Sequence, residues 1–208
     1  MGIKNLSKRL VILFLGVVMS SILFGCAHKV LVAARPPEKA YTEKIPLDAG
    51  LYFTEDFKKY KVSEYRKGDK WNYTNLGESS ATTFQIGLSQ IFRSVKLVDK
   101  RPPFVEPKPI NIQIVVEPAI EKFEFDIPFT KFQTYPARIR YNITIFDIDG
   151  NKICARSVEG IGDIKGQPGL DFAENPSKAA SRAVEDGVNK SLESILGAEE
   201  LKKLQGVK

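Results

Sequence analysis

Ala137-Arg-Ile-Arg-Tyr-Asn-Ile-Thr-Ile-Phe-Asp-Ile-Asp-Gly-Asn-Lys-Ile-Cys-Ala-Arg-Ser-Val-Glu-Gly-Ile161 is the stretch that decides the fold. Ile139, Tyr141, Ile143 and Ile145 alternate with polar residues, the period-two pattern of a strand with one buried face. Asp149-Gly150-Asn151 interrupts the alternation with residues that tolerate positive φ, a hairpin signal. Lys152 to Ile161 supplies the return strand.

Upstream, Ile110, Ile112, Ile114 and Val116 place a further strand at 110–117, and Pro118 marks an edge or an end. Phe123, Phe125, Ile127 and Phe129 then alternate with Lys122, Glu124, Asp126 and Pro128, and Phe132 and Tyr135 continue the aromatic density up to Pro136. Two readings stand for these aromatics. They are half of a core, or Phe123, Phe125, Phe129, Phe132 and Tyr135 form an exposed patch for a partner, a lipid or a glycan, since aromatics bury large areas at interfaces.

Helices frame these strands. Ala81, Phe84, Leu88, Ile91, Phe92 and Val95 recur at steps of three and four, which predicts a helix over 79–95 capped by Ser79 or Ser80. Val95–Val98 follows as a strand, and Pro102, Pro103, Pro107 and Pro109 punctuate the next loop. Gly50–Thr54 and Trp71–Thr74 are short strands. A last helix spans 176–196, with Asn175 as its cap and Pro176 in its first turn. Its stripe of Ala180, Val184, Gly187, Val188, Ser191, Leu192 and Ile195 suits close packing on a sheet. Residues 198–208 form a charged tail, able to add a short helix. The order predicts an α+β fold: a mostly antiparallel sheet with two main helices on one face.

The N-terminus is an address. Lys4, Lys8 and Arg9 precede an apolar run from Leu10 to Phe24. That run has the length of a signal-peptide core and falls short of the roughly 20 apolar residues of a membrane-spanning helix. It ends in Leu23-Phe24-Gly25-Cys26, which resembles the lipobox of bacterial lipoproteins, with Phe24 in place of the usual smaller residue. The resemblance implies removal of residues 1–25 and lipid attachment through Cys26. Two or more acyl chains give stable anchoring, at about 0.8 kcal/mol per buried methylene. Ala27 after the cysteine implies the outer membrane, facing the periplasm, or the cell membrane where no outer membrane exists. Residues 26–48 are expected to be anchor and tether, broken by Arg35-Pro36-Pro37 and Ile45-Pro46. About 20 extended residues would reach roughly 65–70 Å. The alternative is that Val30–Ala34 pairs as an edge strand. Residues 49–197 make one domain.

Composition narrows the function. The net charge of +6 drops to +3 without the leader, with 28 basic against 25 acidic side chains, which gives no nucleic-acid footprint. His28, the one histidine, lies beside the anchor, so a histidine-dependent triad or multi-histidine zinc site is excluded within one chain. Cys154 is a lone thiol on a strand, without a neighbour to activate it. Asp147-Ile148-Asp149-Gly150-Asn151 lacks the glycine and glutamate positions of a calcium loop. Gly160–Gly166 matches no phosphate-binding fingerprint. Glu121, Glu124 and Asp126 are close in sequence, but 124 and 126 share a strand face with Lys122, which reads as solvated surface rather than a pair of catalytic acids. No cofactor, metal or catalytic residue is expected.

Lipobox and element order together resemble the small periplasmic lipoproteins of the LptE and YajG type, which implies a binding or assembly role. The expectation is a non-enzymatic envelope lipoprotein whose partners are the membrane, through its lipid, and an envelope protein or glycolipid. The alternative is a scaffold or ring subunit of a secretion or polysaccharide-export machine.

Overall fold

The computed structural model describes residues 26–38, 41–105, 111–130, 132–166 and 173–205. The expected signal segment, 1–25, lies outside them, as do Pro107, Pro109 and Ile110, residues 167–172, and the last three residues. The chain is α+β. Its strands are β1 (Ala27–Leu31), β2 (Ile45–Leu51), β3 (Val62–Arg66), β4 (Asp69–Thr74), β5 (Phe92–Leu97), β6 (Ile114–Phe125), β7 (Thr134–Tyr135), β8 (Ala137–Asp147), β9 (Lys152–Ile161) and β10 (Ile164–Lys165). Its helices are α1 (Glu55–Lys58), α2 (Leu76–Ile91), α3 (Glu174–Leu196) and α4 (Glu199–Gln205).

The central sheet has the order β5-β2-β6-β8-β9. Its β6-β8-β9 part is antiparallel, as the alternation predicts, whereas β2 runs parallel to both β5 and β6. The sheet is therefore mixed. The β2–β5 pair is parallel because the connection between them, which carries β3, β4 and α2, crosses over and returns the chain in the same direction. In the turn between β8 and β9, Gly150 takes φ 89°, and Asp147 Oδ1 accepts from the backbone N–H of Asp149 at 3.0 Å and of Asn151 at 2.8 Å.

The strand expected to stop at Pro118 continues to Phe125. Pro118 is tolerated because β2 pairs only with Ile114–Val116, so β6 is an edge beyond that point. The register shifts between Ile120 and Lys122. That bulge switches the inward-facing set from Ile114, Val116 and Pro118 to Phe123 and Phe125. One strand with a phase change thus mimics two strands in the sequence.

Helices α2 and α3 lie on one face of the sheet, over Ile139, Tyr141, Ile143 and Ile145. Phe84 of α2 meets Tyr141 edge-on with ring centroids 5.1 Å apart, and the Tyr141 hydroxyl and Ser80 Oγ share a buried hydrogen bond of 2.6 Å. Burial pushes the Tyr141 phenol upward. Helix α3 reaches the sheet almost backbone to backbone. A Cβ on Gly160 would stand 2.1 Å from the Ala183 carbonyl oxygen, and one on Gly162 1.9 Å from that of Ala179. The small-residue stripe of α3 is what permits this approach.

Helix α2 begins and ends earlier than the spacing predicts. Asn75, at φ 69°, precedes it, and β5 starts directly at Phe92. Ser79 and Ser80 are buried inside its first turns instead of capping it. There they serve other elements, Ser80 binding Tyr141 and Ser79 Oγ accepting the Ala34 N–H at 2.8 Å. The tail adds α4, whose Leu201 is buried and whose Glu200 pairs with Arg156 at 2.7 Å.

The expected tether is part of the body. β1 pairs in parallel with β4, and Val30 and Val32 are fully buried. Residues 32–37 then run along the cleft between α2 and α3. Ala33 N–H donates to Ser181 Oγ at 3.0 Å and Arg35 N–H to Glu185 Oε1 at 2.8 Å, while Ser177 Oγ donates to the Leu31 carbonyl. Pro37 is buried against Gly87. The prolines that forbid helix or central strand thus shape a strap that uses helix side chains as partners. The edge-strand alternative for Val30–Ala34 describes Val30 and Leu31; Val32–Ala34 belong to the strap.

Candidate anchor and contact surface

The sequence places two features on this surface, Cys26 and the aromatic stretch 123–135. Cys26 is exposed and stands one residue before β1. Its carbonyl accepts the Lys70 N–H at 3.0 Å. The next residue pairs with Lys70, and the neighbouring pair Arg66–Asp69 closes the β3–β4 hairpin. Cys26 therefore sits at the hairpin tip of a three-stranded sheet, order β1-β4-β3.

Strand β3 and its tip are absent from the sequence expectations. The missed signal is Lys67-Gly68, whose φ values of 52° and 88° make a two-residue turn with positive φ at both positions. The inner face of this small sheet carries Trp71 and Tyr73, both 1% exposed. His28 stacks on Trp71 at 4.4 Å and its Nε2 lies 3.4 Å from Asp69 Oδ2.

The aromatic stretch divides. Phe123, Phe125 and Tyr135 are buried at 4%, 6% and 2% exposure, so these three are corrected from contact residues to core. Phe123 and Phe125 lie 5.0 and 4.4 Å from the Tyr73 ring and join the two sheets. Phe129 and Phe132, at 87% and 65%, stand in solvent. The difference follows from Pro128. The strand has ended at Phe125, Ile127 still points inward, and from Pro128 on the loop is held out by Gln133, whose Oε1 accepts the Phe129 N–H at 3.0 Å. Lys67 Nζ lies 3.4 Å from the centre of the Phe129 ring, so the exposed aromatic stands on the same hairpin tip as Cys26.

Other reactive groups are placed for structure. Burial raises the Cys154 thiol, which makes it a poor nucleophile. A groove of about 320 Å³ at the ends of β2 and β5 contains Glu55, but Lys58 and Lys59 pair with that carboxylate and hold it below its ordinary range. Asp48 is clasped by Arg93 and by Ser94 Oγ at 2.6 Å, which brings its carboxyl down to about 2. Glu117, beside Arg101, moves the other way because burial outweighs the guanidinium. Among the described residues no group of three or more His, Cys, Asp or Glu is placed to hold a metal ion, and no helix is long and apolar enough to cross a membrane.

No protein-family model matches the sequence, and neither does any curated protein. Solved structures of similar course exist. A Xanthomonas campestris protein of the DUF330 family is 12% identical, with 86% of this chain and 97% of that one covered at a TM-score of 0.49. A neuraminyllactose-binding hemagglutinin homolog from Helicobacter pylori is 11% identical, covering 84% and 96% at 0.48. A minor lipoprotein from Acinetobacter baumannii is 13% identical, covering 72% and 92% at 0.43. Lipoproteins are thus among the structures this chain is similar to; likeness at this level assigns no function.

Proposed function

We propose that this chain is a lipoprotein held to the outer membrane through Cys26, with its body on the periplasmic side and a non-enzymatic binding or assembly role in the envelope. The observation that carries the reading is the run of basic start, apolar core and Leu23-Phe24-Gly25-Cys26, ending at a cysteine exposed where the folded body begins. A thiol in that place takes lipid without disturbing any packed residue. The exposed Phe129, against Lys67 of the hairpin tip that carries the anchor, forms with the exposed Phe132 the contact surface for an envelope protein or glycolipid met close to the bilayer.

Mass spectrometry of protein extracted from membranes tests the anchor. The expected N-terminus is Cys26 with diacylglyceryl and acyl groups, and density separation of the envelope places it with the outer membrane. Protein recovered from the cytosol with an intact, unmodified Met1 refutes the reading. A photo-crosslinking residue at 129 tests the contact surface: adducts no heavier than those from the exposed Asn142 would remove Phe129 from it.

A further inference from the structure

The small sheet has an outer face that no element among the described residues covers. Its register fixes which residues share that face. Ala27, Lys29 and Leu31 stand beside Lys70, Asn72 and Thr74, and these stand beside Ser63 and Tyr65. Leu31 is 55% and Tyr65 67% exposed, and Lys29 and Ser63 are exposed as well. Lys61, just before β3, joins Lys29 along a shallow groove of about 500 Å³ on this side. The face so defined holds three lysines and no carboxylate. The acids of the same strands, Glu64 and Asp69, point to the other side, where they meet Arg66 and His28.

The anchor position gives this face its occupant. With no spacer between Cys26 and β1, a lipid on the cysteine brings Lys29 and Lys70 within about 10 Å of the point of insertion and Lys61 within about 20 Å, from strand geometry alone. An attraction too weak to hold a free protein becomes effective at the local concentration that such a short link imposes. Tyr65 adds an amphipathic ring of the kind that favours the water–lipid boundary.

We propose that the outer face of the β1-β4-β3 sheet lies on the bilayer and binds anionic lipid headgroups through Lys29, Lys61 and Lys70, which fixes the orientation of the body on the membrane. The proposal rests on lipid attachment at Cys26. The two fail differently. Without the lipid the protein does not stay with vesicles at all, whereas without the face it stays attached but unoriented.

The test uses the lipidated protein purified from membranes and reconstituted into vesicles of phosphatidylcholine with 30% phosphatidylglycerol, a composition chosen at roughly the anionic content that makes juxtamembrane lysines adhere. Tyr65→Trp reports contact, Lys152→Trp in the distant β8–β9 turn serves as control, and the unsubstituted protein gives the background from buried Trp71. Lipids brominated in the upper acyl chain are expected to quench the reporter at 65 at least about twofold more than that at 152, since only the former reaches the boundary. The difference should fall with added NaCl, in pure phosphatidylcholine, and in K29Q/K61Q/K70Q, where each lost lysine weakens adhesion roughly fivefold. Equal quenching at both positions on vesicle-bound protein overturns the proposal. So does a blue-shifted reporter at 65 that bromolipid does not quench, in protein that crosslinks as a dimer, because the face is then covered by a second copy. The salt and lipid arms use no lysine variant, so a variant that folds poorly leaves the result decisive.

Discussion

Gly160→Ala is the sharpest probe of how α3 sits on the sheet. The added methyl carbon would stand 2.1 Å from the Ala183 carbonyl oxygen and 2.5 Å from the Gly187 nitrogen. Comfortable contact needs about 3.5 Å, so the helix must retreat by more than about 1 Å or the strand must bow. Neither movement is local. Gly162 stands in the same relation to Ala179, and a Cβ on Gly187 would meet the Tyr141 ring at 2.8 Å, so the helix is seated at three points along its length. Inserting a methylene into a packed core costs about 1–3 kcal/mol. Backbone atoms on the receiving side put this case at about 3 kcal/mol. At about 2–4 °C per kcal/mol for a domain of this size, the melting temperature should drop by about 6–12 °C. Thermal unfolding followed by circular dichroism measures it. Gly68→Ala is the contrasting variant: nothing lies within 4 Å of its Cβ, but its φ of 88° costs an L-residue about 1–2 kcal/mol. A melting temperature for Gly160→Ala within about 1 °C of the unsubstituted protein would falsify the close-packing argument.

Three other perturbations test separate parts of the structure. Tyr141→Phe strands Ser80 Oγ in the core and should lose about 1–2 kcal/mol, while Tyr141→Phe/Ser80→Ala recovers part of it; urea titrations in which the double variant is no more stable than the single one refute the buried pair. Arg93 and Ser94 hold Asp48 at about 2, below its ordinary 3.8, so its contribution to stability is complete above about 4 and lost as pH falls towards 2. The melting temperature of Asp48→Asn should accordingly lie below that of the unsubstituted protein at pH 6 and converge with it near pH 2; curves that stay parallel count against the clasp. In Cys26→Ser, Cys154 should react with maleimide at pH 7 only after denaturation, because burial both shields the thiol and raises its pKa; rapid native labelling contradicts that placement.

Much of the fold was legible where period and turn chemistry agree. Ile139 to Ile145 with Asp149-Gly150-Asn151 determine β8 and β9, and the Ala180–Ile195 stripe locates α3. Legibility failed where one residue served two masters. Pro118 looks like a strand end because the sequence does not show that β2 stops pairing at Val116. The bulge after Ile120 hides inside a change of parity. Ser79 and Ser80 look like caps because their partners, Ala34 and Tyr141, lie 45 and 61 residues away. On the contact surface, composition marks all five aromatics alike. Packing on Tyr73 sets Phe123 and Phe125 in the core and Tyr135 is buried where it pairs with Ile164, whereas Phe129 and Phe132 stand in the loop after Pro128. Arg35-Pro36-Pro37 resembles a linker because its backbone partners sit on helices far along the chain.

That last feature bears on the order in which the polypeptide can mature. Leu31, Ala33 and Arg35 are clamped by Ser177, Ser181 and Glu185, at separations of 146, 148 and 150 residues. If the chain is exported N-terminus first, as the proposed reading requires, the first of these groups emerges near the start and the second near the end. Until the C-terminal helix arrives, Leu31, Ala33 and Arg35 lack these three partners, and only β4 and α2 are present to receive the segment. Under the lipoprotein reading proposed above, this spacing sets processing of the leading end ahead of full closure of the body over it.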